Sequence, residues 1–382
     1  MAEYLTNTTD LTKVASAIRE KGSTSASLVY PDGFVTAIQA IQTGTELQII
    51  VTVTSGATVT ATKGSLSVSG TSVNGTCTLI VPEPGTWSVS ATLGGQTSDT
   101  KTVSITDSYA VSLYFVSSTL NDNEWSVIKS VSDAGQGANY WSIGDRKEVI
   151  LDGTVGHLAL SNYTTYAFII GFNHNQELEG TNRIHFQLAK TALSGGTDVC
   201  FCDSYYTSPV STTGYFSMNS SATNSGGWEN SQMRTNICGT SLSNYSGTMI
   251  AVIPDALRAV LKSVTKYTDN TGNNSTSASA VTATKDYFFL LSEFEVFGSI
   301  SRANSNEASK QAQYAYYSAG NSKVKYKHNG TSAAARWWLR SPYAGYSTSF
   351  VSVNTDGTVN NNNANYSNGF APGFCMDIGQ TD

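Results

Sequence analysis

Thirteen residues near the C-terminus hold the densest recognition chemistry in this chain. They are Tyr343, Ala344, Gly345, Tyr346, Ser347, Thr348 and Ser349, then Ser352 and Asn354, then Asn361, Asn363, Asn365 and Tyr366. Tyrosine offers contact area at low entropic cost, and Ser, Gly and Asn offer adaptable hydrogen bonding. From Tyr343 to Phe370 there is no Lys, Arg, Glu, Gln, Met or Trp, although Arg336-Trp-Trp-Leu-Arg-Ser-Pro342 immediately precedes. Such a set suits non-covalent binding rather than bond-making. These thirteen residues are the expected ligand-binding surface.

Other reactive types are less well arranged. Glu293 and Glu295 would share one face of an extended Ser292–Val296 segment, and a glycosidase needs such a carboxylate pair. They lie within the apolar run Leu290-Leu-Ser-Glu-Phe-Glu-Val-Phe297, so structural capping or a salt bridge accounts for them better. The four histidines, His157, His174, His185 and His328, are scattered. A hydrogen-bonded structural role is expected for His174 and His185. No G-x-S-x-G elbow, P-loop, H-E-x-x-H or dinucleotide fingerprint occurs. The expectation is a non-enzyme with no catalytic residue, no metal ligand and no cofactor.

Composition narrows the partners. Of 382 residues only 13% are charged, and the formal net charge is −6. Ser, Thr, Asn and Gly must therefore cover much of the surface. A nucleic-acid binder needs concentrated Lys and Arg. The densest basic stretch here, Lys323-Val-Lys-Tyr-Lys327, alternates like one face of a strand. Nucleic acid is thus excluded as a partner. The five cysteines are Cys77, Cys200, Cys202, Cys238 and Cys375. Their odd number and lack of framework spacing predict buried free thiols rather than disulfides or a zinc site. No stretch reaches the ~18 apolar residues of a membrane span. The first nine residues have neither the basic nor the apolar region of a signal peptide, so neither membrane insertion nor export by a leader is expected.

The elements that must position the binding residues fall into three parts. Residues 1–44 read as two short helices. Asp10 is the expected N-cap of the first, with Leu11, Val14, Ala15 and Ile18 at helical spacing up to Gly22. Beyond the turn at Tyr30-Pro-Asp-Gly33, Phe34, Val35, Ile38 and Ile41 follow, closed by Gly44. Helices this short need each other, a partner chain or an assembly to bury their apolar faces. Over 45–108 the period changes to two in Leu47–Val53, Ala57–Ala61, Ser65–Ser69, Cys77–Val81, Trp87–Ala91 and Thr100–Thr106, which predicts a β-sandwich.

Residues 109–382 mix helices and strands without strict alternation, so the chain is expected to be multi-domain and α+β. A strand at Glu148–Leu151 should turn at Asp152-Gly153, and Tyr166–Phe172 should be a buried strand. A helix is expected over Pro254–Val264, with Leu257, Val260, Leu261 and Val264 on one face, and a loop over Thr268–Ala280. Phe350–Val359 should fold as a hairpin around Asp356-Gly357. In that hairpin Val351, Val353 and Val359 face the core, and Ser352 and Asn354 share the opposite face. Trp337, Trp338 and Leu339 should pack beneath, with Arg336 and Arg340 tying backbone or carboxylates.

Three resemblances add to this reading. The N-terminal pattern DLTKVASAIREKG…PDGFVTAIQAI resembles the first segment of many phage tail and baseplate-associated proteins. Pro82-Glu-Pro-Gly-Thr-Trp-Ser-Val89 resembles a run in immunoglobulin-like spacer domains. The segments YWSIGDRKEVILDGTV, AFIIGFNHN, NRIHFQLAKT, GGWENSQMR, IPDALRAVLKSVTKYTDN, LLSEFEVFG, QYAYYSAGNSKVKYKHN and RWWLRSP, in this order, resemble an uncharacterised domain family of gut bacteria and their phages. The C-terminal portion is similar to the C-type-lectin-like domains of diversity-generating-retroelement variable proteins.

In such proteins error-prone copying at adenines scatters AAY codons over the binding surface, and these never mutate to Lys, Glu, Gln, Trp or Met. Residues 343–370 obey that restriction. The resemblance implies a helical anchor (1–44), an immunoglobulin-like spacer (45–108) and a C-type-lectin-like domain (109–382) with a variable region at about 336–375. It implies a phage receptor-binding protein in the virion tail, made in the host cytoplasm. Its partners would be a bacterial cell-surface protein or glycan, other tail proteins through the N-terminal segment, and further copies of itself, a trimer among the expected forms. Neither calcium-binding tripeptide of sugar-binding C-type lectins (Glu-Pro-Asn, Trp-Asn-Asp) is present, so binding without calcium is expected. The alternatives are a bacterial surface lectin-like protein and a polysaccharide-degrading tail-spike-like enzyme.

Overall fold

Leu11, Ala15 and Ile18 recur at helical spacing, and in the computed structural model they line one side of the helix Thr8–Lys21. Ala15 and Ile18 pack with Phe34 of a second helix, Asp32–Ala40, to make a small apolar cluster. Val14, Val35 and Ile38 point outward and are exposed. The structure describes residues 8–21, 25, 27–40, 46–203 and 214–376. The first helix is already formed at Thr8, so Asp10 lies inside it and does not cap it. Gly22, Ile41 and Gly44 fall outside the described residues. The chain divides into two units, Met1–Phe115 and Val116–Asp382.

The rest of the first unit follows the period-two pattern. Its strands are β1 (Gln48–Thr52), β2 (Thr58–Lys63), β3 (Leu66–Thr71), β4 (Thr76–Ile80), β5 (Gly85–Leu93), β6 (Gln96–Thr97), β7 (Lys101–Ile105) and β8 (Tyr109–Ser112). They make one sheet in the order β4-β1-β8 and another in the order β3-β2-β5-β6, with β7 also on β5. Ile49, Val51 and Leu79 of the first sheet share a single core with Val59, Trp87, Val89 and Ile105 of the second. Alternate residues face that core because side chains of a strand alternate between faces. β8 pairs in parallel with β1, so the boundary between units falls after Phe115, not after 108.

The second unit is mixed, with strands predominating, and its class is α+β. Its strands are β9 (Arg146–Val155), β10 (Leu158–Phe172), β11 (Ile184–Lys190), β12 (Val199–Cys200), β13 (Val264–Asp269), β14 (Val281–Asp286), β15 (Phe288–Phe289), β16 (Lys325–Lys327), β17 (Gly330–Ala335), β18 (Trp337–Pro342), β19 (Ser349–Val353), β20 (Val359–Asn363) and β21 (Gly373–Met376). A five-stranded antiparallel sheet runs β15-β21-β11-β10-β9, and a separate three-stranded sheet runs β18-β19-β20. Phe168, Ile169 and Ile170 of β10 are fully buried, as are Phe186, Trp337, Trp338, Leu339, Val351 and Val353. The five cysteines are buried free thiols.

Two local expectations are corrected. β9 continues through Asp152-Gly153 to Val155, and the chain reverses at Gly156. Asp152 instead accepts the Asn162 N–H across a register shift between Leu160 and Tyr163. The helix expected at Pro254–Val264 is only Asp255–Arg258, and Val264 opens β13. The apolar positions Leu257, Leu261 and Val264 are buried as expected, but Lys262 bridges to Cys375 in the sheet, which draws the chain out of the helix. The capping or salt-bridge role expected for the Glu293/Glu295 pair holds at Glu295. Glu293–Phe297 is a helix opened by a capping box, in which Ser292 Oγ accepts the Glu295 N–H and the Glu295 carboxylate accepts the Ser292 N–H.

Trp338 fills the core beneath β19, and its indole N–H donates to the Phe216 carbonyl at 2.9 Å. Trp338→Ala should therefore cost about 3–5 kcal/mol through the cavity it opens. Urea denaturation measures this, and a loss within experimental scatter would place the ring outside the core.

Candidate functional site

Arg340 sits in the middle of β18 with no exposed surface. A buried guanidinium must be paired, and here both of its terminal nitrogens donate to the Glu295 carboxylate, one at 2.9 Å and one closer. Its remaining donors reach Leu290 O at 2.9 Å and Thr268 Oγ1 at 2.7 Å. Lys266 of β13 completes the cluster, with Nζ 3.0 Å from Glu295 Oε1, 2.8 Å from Glu179 Oε2 and 2.8 Å from the Tyr314 hydroxyl. Burial alone would raise Glu295, but Arg340 and Lys266 hold it below the usual carboxylate range. Burial raises Glu179 despite the ammonium beside it.

His174 and His185 flank this cluster. Burial first, then Lys266, depresses His174 to about 3 and His185 well below its ordinary value, which favours the neutral form of both rings. Ligand atoms of His174, Glu179 and Glu295 lie within 4.8 Å of one another, close enough to share a cation. The Lys266 ammonium already bridges the two carboxylates. The arrangement is that of a structural clamp.

The clamp supports a second layer that reaches the surface. Glu293, the other member of the suspected carboxylate pair, accepts backbone N–H groups from Ser301, Arg302 and Ala303. That fixes the Arg302 loop. Arg302 in turn accepts the Ala344 N–H on its carbonyl, donates to Asn361 Oδ1 at 2.7 Å, and lies 5.5 Å over the Tyr343 ring. From the other side Asn224 is fully buried, and its amide nitrogen lies 2.8–3.2 Å from the carbonyls of Tyr343, Tyr346 and Ser349. Asn224 is gripped by Gly272, whose φ of +63° suits glycine and where any Cβ would overlap the Asn224 carbonyl. Both Glu293 and Glu295 are thus engaged by the framework.

The thirteen sequence-selected residues separate into three groups. Tyr343, Ala344, Gly345, Tyr346, Ser347 and Thr348 form a loop beyond β18 that is exposed or half-buried, with Tyr346 60% exposed. The Tyr343 and Tyr346 rings meet edge to face at 5.2 Å. Asn361, Asn363, Asn365 and Tyr366 are half-buried and come to the same end through β20. Ala364 N–H donates to Thr348 O, and Tyr366 N–H to Asn363 O. These ten residues make one continuous tip.

Ser349 and Ser352 are corrected: both are buried in β19 and are not presented. Ser349 lies against Asn363 across the ladder, and Ser352, opposite Trp338 on β18 and Asn360 on β20, has no exposed surface. Asn354 is corrected in position. It lies in the hairpin turn at the far end of β19, five residues from Ser349, which is about 17 Å of extended chain. Sequence reasoning missed Arg302, Asn224 and Glu293 as supports of the tip. For the capping segment a signal existed, Ser292-x-x-Glu295. For Asn224 none did, since its partners are backbone carbonyls over a hundred residues away.

Residues 209–378, which include the whole tip and most of its supports, match the family described as DUF6273, a domain of unknown function. Comparison with curated proteins returns no match.

Two stability predictions follow from the clamp. Glu295→Gln removes the charge shared by Arg340 and Lys266 and should cost about 3–5 kcal/mol, read as a lowered denaturation midpoint; an unchanged midpoint would deny the clamp its role. Burial pushes Glu307, which accepts from the Asp269 N–H and the Ser341 hydroxyl, up to about 7. The folded state then holds this proton more tightly than the unfolded chain, so Glu307 stabilises fully below 4.5, and that contribution is lost as pH rises towards about 7. Glu307→Gln should flatten the stability–pH curve in that window, and a slope identical to that of the parent would refute it.

Proposed function

We propose that the protein is a receptor-binding adhesin of a phage tail, with the 343–366 tip engaging a bacterial surface protein or glycan. One observation carries this reading. Ten Tyr, Ser, Thr, Gly, Ala and Asn residues crowd one end of a sheet whose strands β18 and β19 are wholly buried. Such a surface can change its side chains while the framework beneath stays the same. Tyr343 and Tyr346 supply rigid contact area, and the amides and hydroxyls supply adaptable polar contacts.

In this reading the second unit is a C-type-lectin-like domain with a retroelement-diversified tip, and the two-sheet part of the first unit is an immunoglobulin-like spacer. The exposed Val14, Val35 and Ile38 of the N-terminal helices suit docking to other tail proteins or to copies of the same chain, a trimer among them. Several tips acting together would raise a weak polar affinity by effective concentration. The protein would then reside in the virion. A bacterial surface lectin-like protein would use the same tip, and neighbouring genes distinguish the two.

The test replaces Tyr343, Tyr346, Ser347, Asn363 and Tyr366 together with Ser or Gly and compares binding to intact host cells with thermal melting. Cell binding should fall by about tenfold or more, 1.4 kcal/mol or greater, with the melting temperature nearly unchanged. Full binding by the altered tip would overturn the proposal. Sequencing downstream of the gene should reveal an imperfect copy of codons 336–375 that differs only at adenines; its absence would remove the diversification while leaving the adhesin to the binding assay.

A further inference from the structure

A cavity of about 380 Å³ lies between Gly156-His157, Tyr215-Phe216 and the Gln232–Ile237 segment. Among the described residues no Lys, Arg, Asp or Glu lines it. Two flat rings do: His157 and Tyr215 stack face to face, with centroids 4.0 Å apart and planes 13° from parallel. Bare backbone forms another part of the wall, where Gly156 N–H donates to Gly247 O at 2.8 Å. Gly156 has φ +55°, and a Cβ there would strike Ile237 at 2.5 Å, so this approach to the main chain is kept open by glycine.

The polar groups of the lining are only partly used. Gln232 Nε2 donates to Ser220 Oγ at 3.2 Å, which leaves Gln232 Oε1 without a partner among the described residues. Asn236 Oδ1 accepts from Thr235 at 3.0 Å, which leaves Asn236 Nδ2. The Ser217 and Ser246 hydroxyls add donors and acceptors.

Flat rings, amides and hydroxyls without a formal charge complement one ligand chemistry. An uncharged pyranose offers a C–H face to a ring and equatorial hydroxyls to amides, and ligand sites of this size combine such apolar walls with a few fixed polar groups. A larger cavity of about 460 Å³ near Asn121, Arg146 and Leu193 lacks an aromatic ring, and its Arg146 guanidinium is engaged by the Ala192 and Gly195 carbonyls. We propose that the 156–247 cavity is a binding site for an uncharged sugar, either a monosaccharide or the end of a glycan chain.

All the lining residues lie outside 343–366, so this specificity is fixed while the tip is free to differ. The two are nevertheless neighbours through one residue. Asn219 accepts the Gln232 N–H at 3.0 Å and donates its own N–H to Ala364 O at 3.0 Å. A sugar held here would sit beside whatever the tip contacts. The inference stands without the tip reading.

Saturation-transfer NMR on the full chain tests it with methyl β-glucoside, methyl β-galactoside, methyl α-mannoside and N-acetylglucosamine. At least one should bind with millimolar or tighter affinity. His157→Ala and Asn236→Ala, both at exposed positions, should each weaken it by about tenfold with melting unchanged, and Tyr346→Ala should leave it intact. No transfer to any of these sugars overturns the proposal. So does binding that ignores both cavity substitutions, and so does binding that is lost only with Tyr346.

Discussion

The second unit is organised around a charge cluster that water never reaches. Arg340, Glu295, Lys266 and Glu179 are all buried, and each would be costly there alone. Together they join the β18 strand, the helix Glu293–Phe297, the β13 strand and the helix Gln176–Glu179. Four elements far apart in sequence are thereby held to one geometry, because a charge at the wrong distance from its partner loses its compensation. Apolar packing alone tolerates sliding by fractions of a residue, and bidentate ion pairs do not.

This explains how a tip of small polar residues can be well positioned. Tyr343 follows three residues after Arg340, and the Arg302 loop follows the Glu293 helix. Both sides of the tip are therefore referenced to the same clamp. Glu293 then passes order outward through three backbone N–H bonds, and Asn224 does the same from the opposite side by reaching three tip carbonyls. Asn224 holds the tip through main chain, whereas Arg302 also meets the Asn361 side chain and the Tyr343 ring. Tip side chains other than these two can differ without disturbing those contacts.

The proposed sugar site at Tyr215 and Gln232 extends the same economy of parts. Its walls come from backbone and uncharged side chains of the framework, and Asn219 links it to Ala364 at the tip. The two proposed recognition surfaces, one fixed and one adaptable, would share one scaffold.

The sequence by itself determined the strand pattern of 47–106, the buried Trp337 and Trp338, the free thiols, and the polar vocabulary of 343–366, because these follow from local periodicity and residue chemistry. It also carried the Ser292-x-x-Glu295 cap, in keeping with the capping or salt-bridge role expected for this pair. Tertiary structure decided the rest. Ser352 obeys the alternation that should expose it, yet the packing of the second unit leaves it no exposed surface. Asn354 belongs to the right segment but lies at the wrong end, since a strand carries its residues apart as steadily as it aligns them. The pairing of Arg340 with Glu295 and the reach of Asn224 to Tyr343 join residues separated by 45 and 119 positions. Contacts at that range are set by how the sheets close on each other, and no local pattern of residues encodes them.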